Sequence, residues 1–395
     1  MKIYVNVNGR HKWRYNMKVI ISPDSYKGTL SAVEVAKAMQ KGILDVDHSI
    51  ETIILPVADG GEGTLQSLIA STDGRYCSAT VLDPLGRAIQ AQYGVLGDQV
   101  TCVIEMAQAS GIMLLQENEK NPELATSYGT GQLIKAALDQ GFRKFIIGIG
   151  GSATNDAGTG MLQALGVRLL TAEGLELEAG VSNLMQLGAI DMSLLDTRLA
   201  EATFTIACDV DNPLIGERGA TAIFGPQKGV QKHQVAEFDR CLKHFADIVE
   251  AQFAIRLHDY KGAGAAGGMG GALIAFLKGT FHAGIDLVLD AVQLQAHLAE
   301  AQVVITGEGK SDLQTLHGKA PLGVAKAAKQ ANVEAMLLSG GIDTKANAAL
   351  QAYFTVVESL VDEEIGVQQA MQEPAHFIRL KTKRMIERYL QKGDD

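Results

Sequence analysis

The chain reads as an α/β protein: a Rossmann-like parallel-sheet domain made from both chain ends, with a second α/β domain inserted between. Three observations predict this. Short β-branched runs (KVII at 18–21, TIIL at 52–55, VVI at 303–305) alternate with helical patterns near both ends, the βαβα rhythm of a parallel sheet. Composition is 47% hydrophobic but only 5% aromatic, with 43 glycines, a mix that suits buried aliphatic strands joined by tight loops. At 395 residues the chain exceeds one ordinary core, so about two domains are expected.

Residues 1–16 are polar and precede Met17, where the α/β pattern starts, so they are assigned to an N-terminal extension outside the core fold. Lys18–Asp24 is a strand running into a turn, and a helix follows from Ser31, which stands in capping-box spacing with Glu34; Val35, Met39 and Ile43 share one face. Glu51–Pro56 is a second strand that breaks into V-A-D-G-G-E-G. Val81–Ile104 reads as paired strands with turns at 83–86 and 97–98. Gln132–Leu138 is a helix, Phe145–Ile149 a strand feeding G-G-S-A-T-N-D, and Phe204–Cys208 a strand feeding D-V-D-N-P. A helix over Gln234–Phe253 precedes the glycine-dense stretch 261–271. The βα rhythm returns with strands at Val303–Ile305, Ala335–Leu338 and Thr355–Glu358, a helix at Leu322–Gln330 and a helical C-terminus. The expected division is 17–80 with 285–395 for the Rossmann-like domain and 81–284 for the insertion.

Net charge is −10 and the 35 basic residues form no run, which argues against a nucleic-acid or anionic-membrane partner. Four isolated cysteines without CxxC spacing fit reduced thiols in a cytoplasm. No apolar stretch approaches the roughly 18 residues of a membrane span.

Two glycine motifs mislead. Residues 262–267 match GxGxxG, but D-Y-K separates them from any preceding strand; residues 148–153 match GxGxxA, with Glu173 posing as a ribose-binding acid, yet Asp156 stands where pyrophosphate would sit. Gly309-Lys310-Ser311 resembles the end of a P-loop, but Val304 occupies the position of the first required glycine. A nicotinamide-dependent oxidoreductase is therefore kept only as a remote alternative.

The polar strand-end junctions carry the chemistry, because ligands of open α/β sheets bind beyond the carboxyl ends of the strands. The stretch T-G-E-G-K-S-D-L-Q-T-L-H-G-K, 306–319, opens from an apolar strand into Gly307, Glu308, Lys310, Asp312 and Lys319. Phosphoryl transfer needs amides and cations on phosphate oxygens, a carboxylate-held Mg²⁺ and a group that orients the acceptor hydroxyl. Lys27, Asp59, Asp209 and Asp312 are the candidate catalytic residues. Asp24, Ser25, Gly60, Glu62, Gly150, Gly151, Ser152, Asn155, Lys228, Gly267, Gly268, Gly307, Glu308, Lys310 and Lys319 are candidates for holding substrate or nucleotide, and Asp156 and Asp209 for holding Mg²⁺. Bland readings stand beside these: Asp209 and Asp211 as turn residues before Asn212-Pro213, Gly267, Gly268, Gly270 and Gly271 as packing glycines, His317 as a loop histidine, Cys208 as a small buried residue.

The same stretches resemble the bacterial type-1 glycerate kinases. The resemblance runs from Met17 to near the C-terminus and rests on S-P-D-S-Y-K-G-T-L-S-A (22–32), P-V-A-D-G-G-E-G-T (56–64), E-M-A-Q-A-S-G (105–111), A-T-S-Y-G-T-G (125–131) and I-G-I-G-G-S-A-T-N-D-A-G (147–158). It continues through A-C-D-V-D-N-P-L (207–214), F-G-P-Q-K-G (224–229), G-A-G-A-A-G-G-M-G (262–270) and the 306–319 opening. It implies ATP- and Mg²⁺-dependent phosphorylation of D-glycerate, 2-phosphoglycerate as product, and a site between a Rossmann-like and a second α/β domain. Phosphorylation at the 3-hydroxyl and a non-catalytic sugar-acid sensor are the alternatives, and a homodimer is an open possibility. Lys310 departs from the family, whose members usually carry arginine there; a bidentate grip becomes a point charge.

Overall fold

The computed structural model describes residues 2–7, 10–15, 17–61 and 63–392. Within the expected N-terminal extension, Lys2–Val7 and Arg10–Tyr15 pair antiparallel as a two-stranded sheet of their own. The chain divides into two compact units: residues 1–59, 66–72 and 285–395 form the first, and residues 60–65 and 73–284 the second.

In chain order the principal strands are β1 (Lys18–Ile21), β2 (Glu51–Ile54), β3 (Arg75–Leu82), β4 (Ala88–Val95), β5 (Thr101–Glu105) and β6 (Lys144–Gly148). They continue as β7 (Thr203–Ala207), β8 (Thr280–His282), β9 (Val303–Thr306), β10 (Glu334–Ser339) and β11 (Val356–Ser359).

The first unit holds a five-stranded sheet in the order β2-β1-β9-β10-β11, every pair parallel. This is a doubly wound order in which the chain leaves β1 in one direction and β9 in the other. The crevice outside the carboxyl ends of β1 and β9 is therefore the switch point, where such sheets bind ligands. Val19, Ile21, Val303, Ile305, Met336 and Leu338 put one face of the sheet into a core completed by Val35, Met39 and Ile43. Those three lie on helix Ala32–Leu44, whose start is the expected capping box: Ser31 Oγ accepts from Glu34 N, and Ser31 N donates to Glu34 Oε2 at 2.9 Å. The C-terminal helix Pro374–Lys392 adds Ile378, Met385 and Ile386. Gly42 lets the two helices approach, since a Cβ there would lie 2.4 Å from the Arg379 carbonyl oxygen.

The second unit holds a six-stranded mixed sheet, β8-β7-β6-β5-β4-β3. Strands β5 to β8 are parallel, whereas β3-β4 and β4-β5 are antiparallel hairpins. The turn at 83–86 closes through Gly86 N to Asp83 O at 3.0 Å. Strand β3 begins at Arg75 and pairs along its whole length with β4, so the division expected at 80–81 falls inside a strand. The core of this unit is aliphatic around a Phe145–Phe204 stack with centroids 4.8 Å apart. Among the described residues no helix is long and apolar enough to cross a membrane.

Candidate active site

In the first unit, three strand ends are tied together at the switch point. Ser22 N donates to Ile305 O and Asp24 N to Gly307 O, both at 2.8 Å, which joins the loop after β1 to the loop after β9. Buried Tyr26 donates its hydroxyl to Leu338 O of β10 at 2.6 Å. Gly307 is required beneath this junction because a Cβ there would lie 1.8 Å from that same Leu338 carbonyl. Its part is close backbone approach.

Above these ties lies a cavity of about 770 Å³ whose lining residues all belong to the first unit. Its polar end gathers Asp24, Ser25, Lys27, Asp59, Glu308, Lys310, Asp312 and Lys319. Asp24 accepts from Ser25 N at 2.6 Å, and its carboxyl is pushed from 3.8 up to about 7. Burial is the first cause, followed by the negative charge of Asp59 and then that of Glu308, against the pull of the Ser25 amide and Lys27. Glu308 is buried and also raised, by burial, although its Oε1 accepts from Thr315 Oγ1 at 2.6 Å and Ser311 Oγ at 2.8 Å. Lys319 Nζ stands 3.9 Å from Glu308 and 4.0 Å from Asp312. Asp312 caps the short turn Leu313–His317 by accepting from Gln314 N at 2.8 Å, so part of its carboxylate serves the backbone.

The second unit treats its glycine-rich loops differently. After β6, residues Ser152–Asp156 are buried. Lys228, 2% exposed, donates from Nζ to Ser152 Oγ and Thr154 O, each at 2.7 Å. Burial draws this ammonium down to about 7, against the attraction of Asp156. Asn155 donates to Thr221 Oγ1 at 3.0 Å. Gly267 and Gly268 are buried at φ +66° and +96°, and a Cβ on Gly267 would lie 2.0 Å from Thr154 O. Their backbone lies against residues 154–157, so no side chain would fit at either position. Among the described candidates of this unit, Gly150, Gly151 and the exposed Asp209, whose Oδ1 accepts from Gly284 N at 2.8 Å, reach the surface, and Gly60 is buried.

The glycerate kinase family matches this chain over residues 19–390. The chain belongs to the glycerate kinase family. It is 47% identical to the glycerate kinase of Bacillus subtilis strain 168 over 92% of this chain and 95% of that protein. Identity to the Escherichia coli K12 protein named glycerate 2-kinase is 45%, covering 87% of this chain and 91% of that one. The crystal structure of a candidate glycerate kinase 2 from Salmonella typhimurium LT2 superposes with a TM-score of 0.87 at 41% identity, covering 96% of this chain and 100% of that one. This glycerate kinase family member is thus a kinase enzyme, and its α/β fold is that of a solved relative.

Within this family member, the two carboxylates expected to hold Mg²⁺ differ in fitness. Asp156 is 1% exposed and accepts from Ser127 N, Ser127 Oγ, Gly158 N and Gly160 N at 2.7–3.2 Å. Three of these donors crowd Oδ2 and one meets Oδ1, so this buried carboxylate is already committed to the protein's own backbone and to Ser127. Asp156 does not fit a magnesium site; its work is to fasten helix Thr159–Ala164 to Ser127. Asp209 does fit, being an exposed oxygen ligand at a strand end of the kind Mg²⁺ shares with water and phosphate. Glu62 lies outside the described residues, and so does the side chain of His317.

Sequence reasoning missed the other end of the cavity: Ile342, Leu360, Val361, Val367, Ala370 and Met371. The strand-end rule applied to β11 would have pointed to Leu360 and Val361. The apolar face of helix Val367–Gln372, spaced i, i+3, i+4 at Val367, Ala370 and Met371, was the remaining signal.

Proposed function

We propose that this kinase transfers the γ-phosphoryl group of ATP to the 2-hydroxyl of D-glycerate, giving 2-phosphoglycerate and ADP. The observation that carries the reading is the polar end of the first-unit cavity, where three lysines stand among carboxylates and one of those carboxylates is displaced to about 7. A group poised there accepts and releases a proton near neutrality. The E. coli relative named glycerate 2-kinase supports the choice of hydroxyl.

In this reading Lys27, Lys310 and Lys319 meet the glycerate carboxylate and the phosphate oxygens. Asp24 or Asp59 takes the hydroxyl proton as the oxygen attacks the γ-phosphorus. The new O–P bond forms while the bond to the β–γ bridging oxygen breaks, and its electron pair leaves with ADP. Mg²⁺, when bound, would supply charge neutralisation on the phosphates. Four free cysteines favour a reducing compartment such as the cytoplasm.

An ADP-release assay with D-glycerate and MgATP, with phosphorus NMR of the product, tests the reaction and the position. The expected resonance is that of 2-phosphoglycerate; 3-phosphoglycerate would reassign the hydroxyl, and absence of ADP release would end the reading. If neither Asp24→Asn nor Asp59→Asn lowers turnover by more than about tenfold, roughly 1.4 kcal/mol, the proton-acceptor assignment is wrong.

A further inference from the structure

The first-unit cavity is too large and too divided for a three-carbon acid alone. Its volume of about 770 Å³ lies in the range of roughly 300–1,000 Å³ that takes ligands of drug size. It runs along the carboxyl edge of the sheet, from the loops after β1 and β9 past Gly340–Ile342 to Ser359–Val361 and helix Val367–Gln372. One end is charged and the other is aliphatic. At that aliphatic end Val367 is 60% exposed and Met371 is 55% exposed, although both are large apolar side chains. Ala370 lies between them and is buried against the core. The nearby backbone donors are spent, with Leu360 N on Ser339 O at 2.8 Å and Val361 N on Gly340 O at 3.3 Å. A flat apolar group suits this wall better than a polar one.

The charged end offers Lys27, Lys310 and Lys319, and Lys319 is also the N-cap of helix Ala320–Gln330, whose first amides favour anions. A ligand with a polyanionic tail and a flat apolar head fits the whole length. The rival location is closed. In the second unit the glycine-dense segment is buried, Gly264 N is bonded to Asn212 O and Ala265 N to Gly262 O, each at 3.0 Å, and Gly267 leaves no space against Thr154.

Resting on the kinase reading above, we propose that this cavity is the nucleotide site, with the phosphates at the β1/β9 switch point and the base laid on Val361, Val367, Ala370 and Met371. The buried glycine-dense segment 262–271 of the second unit then serves packing.

Calorimetric titration of the full chain with ADP, and separately with tripolyphosphate, tests this in wild type and in Val367→Ser/Met371→Ser. Both side chains are more than half exposed, so the variant is expected to keep the wild-type urea midpoint, which is the control for folding. The expected result is ADP affinity weakened about tenfold with tripolyphosphate affinity within about twofold. Unchanged ADP affinity overturns the proposal, whatever happens to the KM for glycerate. So does equal weakening of both ligands, or failure of the wild type to bind ADP. The readout is binding, so it separates this proposal from the reaction itself, which the ADP-release assay decides.

Discussion

Two glycine-rich regions of this protein look alike as sequence and behave oppositely. At the β1/β9 junction of the first unit, glycines bring backbones together underneath and leave lysines and carboxylates facing a cavity. At the 152–156 and 264–268 segments of the second unit, the backbones are buried against each other: Gly267 presses on Thr154, and Asp156 and Lys228 are engaged in internal hydrogen bonds. Each region holds one group displaced to about 7, and the causes differ. Asp24 is raised by burial and by the like charges of Asp59 and Glu308. Lys228 is lowered by burial alone, with neutral oxygens as its partners. The first pattern holds like charges together that Ser25, Lys27 and Lys319 offset only in part. The second is a strut.

The largest expected effect breaks or keeps this contrast directly. Lys319→Met should lower kcat/KM by about 100-fold, roughly 2.7 kcal/mol of lost transition-state stabilisation, with little change in urea midpoint. Lys228→Met should do the reverse, costing about 2–4 kcal/mol of unfolding free energy because Ser152 Oγ and Thr154 O lose their buried donor, while kcat of the folded fraction stays within a few-fold. A Lys228→Met protein of wild-type stability and abolished turnover would return Lys228 to the substrate-binding set.

A smaller effect concerns Asp24. Its folded pKa lies above its ordinary value, so between pH 3.8 and about 7 the folded state binds more protons than the unfolded state. Stability from this group is therefore present below pH 3.8 and lost as pH rises through about 7. Asp24→Asn should leave the thermal midpoint unchanged near pH 4 and raise stability at pH 8, by an upper bound of about 4 kcal/mol at 1.36 kcal/mol per unit. A variant no more stable than wild type at pH 8 would show that the carboxylate repulsion is relieved some other way. Smallest is Lys310→Arg, which replaces a point charge by a bidentate donor and should lower the KM of one anionic substrate a few-fold without moving kcat. An unchanged KM would remove Lys310 from the anion contacts.

Much of the first-unit site was legible because strand-end chemistry is local. Asp24, Lys27, Glu308, Lys310, Asp312 and Lys319 stand directly after apolar runs, and the Ser31/Glu34 cap was readable from spacing. What the sequence did not show has one origin, long sequence separation. Asp156 reads in sequence as a metal ligand, and in the structure it accepts from Ser127, 29 residues away; Lys228 reads as a phosphate contact, and in the structure it donates to Ser152 and Thr154, 76 and 74 residues away. The apolar wall was only partly legible, since Val367 and Met371 read as an ordinary helix face until packing sets them beside Leu360 and Val361.

Local pattern alone settled that this chain is α/β, that both its ends contribute parallel strands, and that its polar residues collect where strands stop, because hydrophobic period, caps and turn glycines act over a few residues. Tertiary structure decided which of those polar groups stay available. A lysine or an aspartate is a ligand or a brace according to whether distant backbone has already satisfied its hydrogen bonds, and desolvation among neighbours far along the chain sets which of them titrates near neutrality.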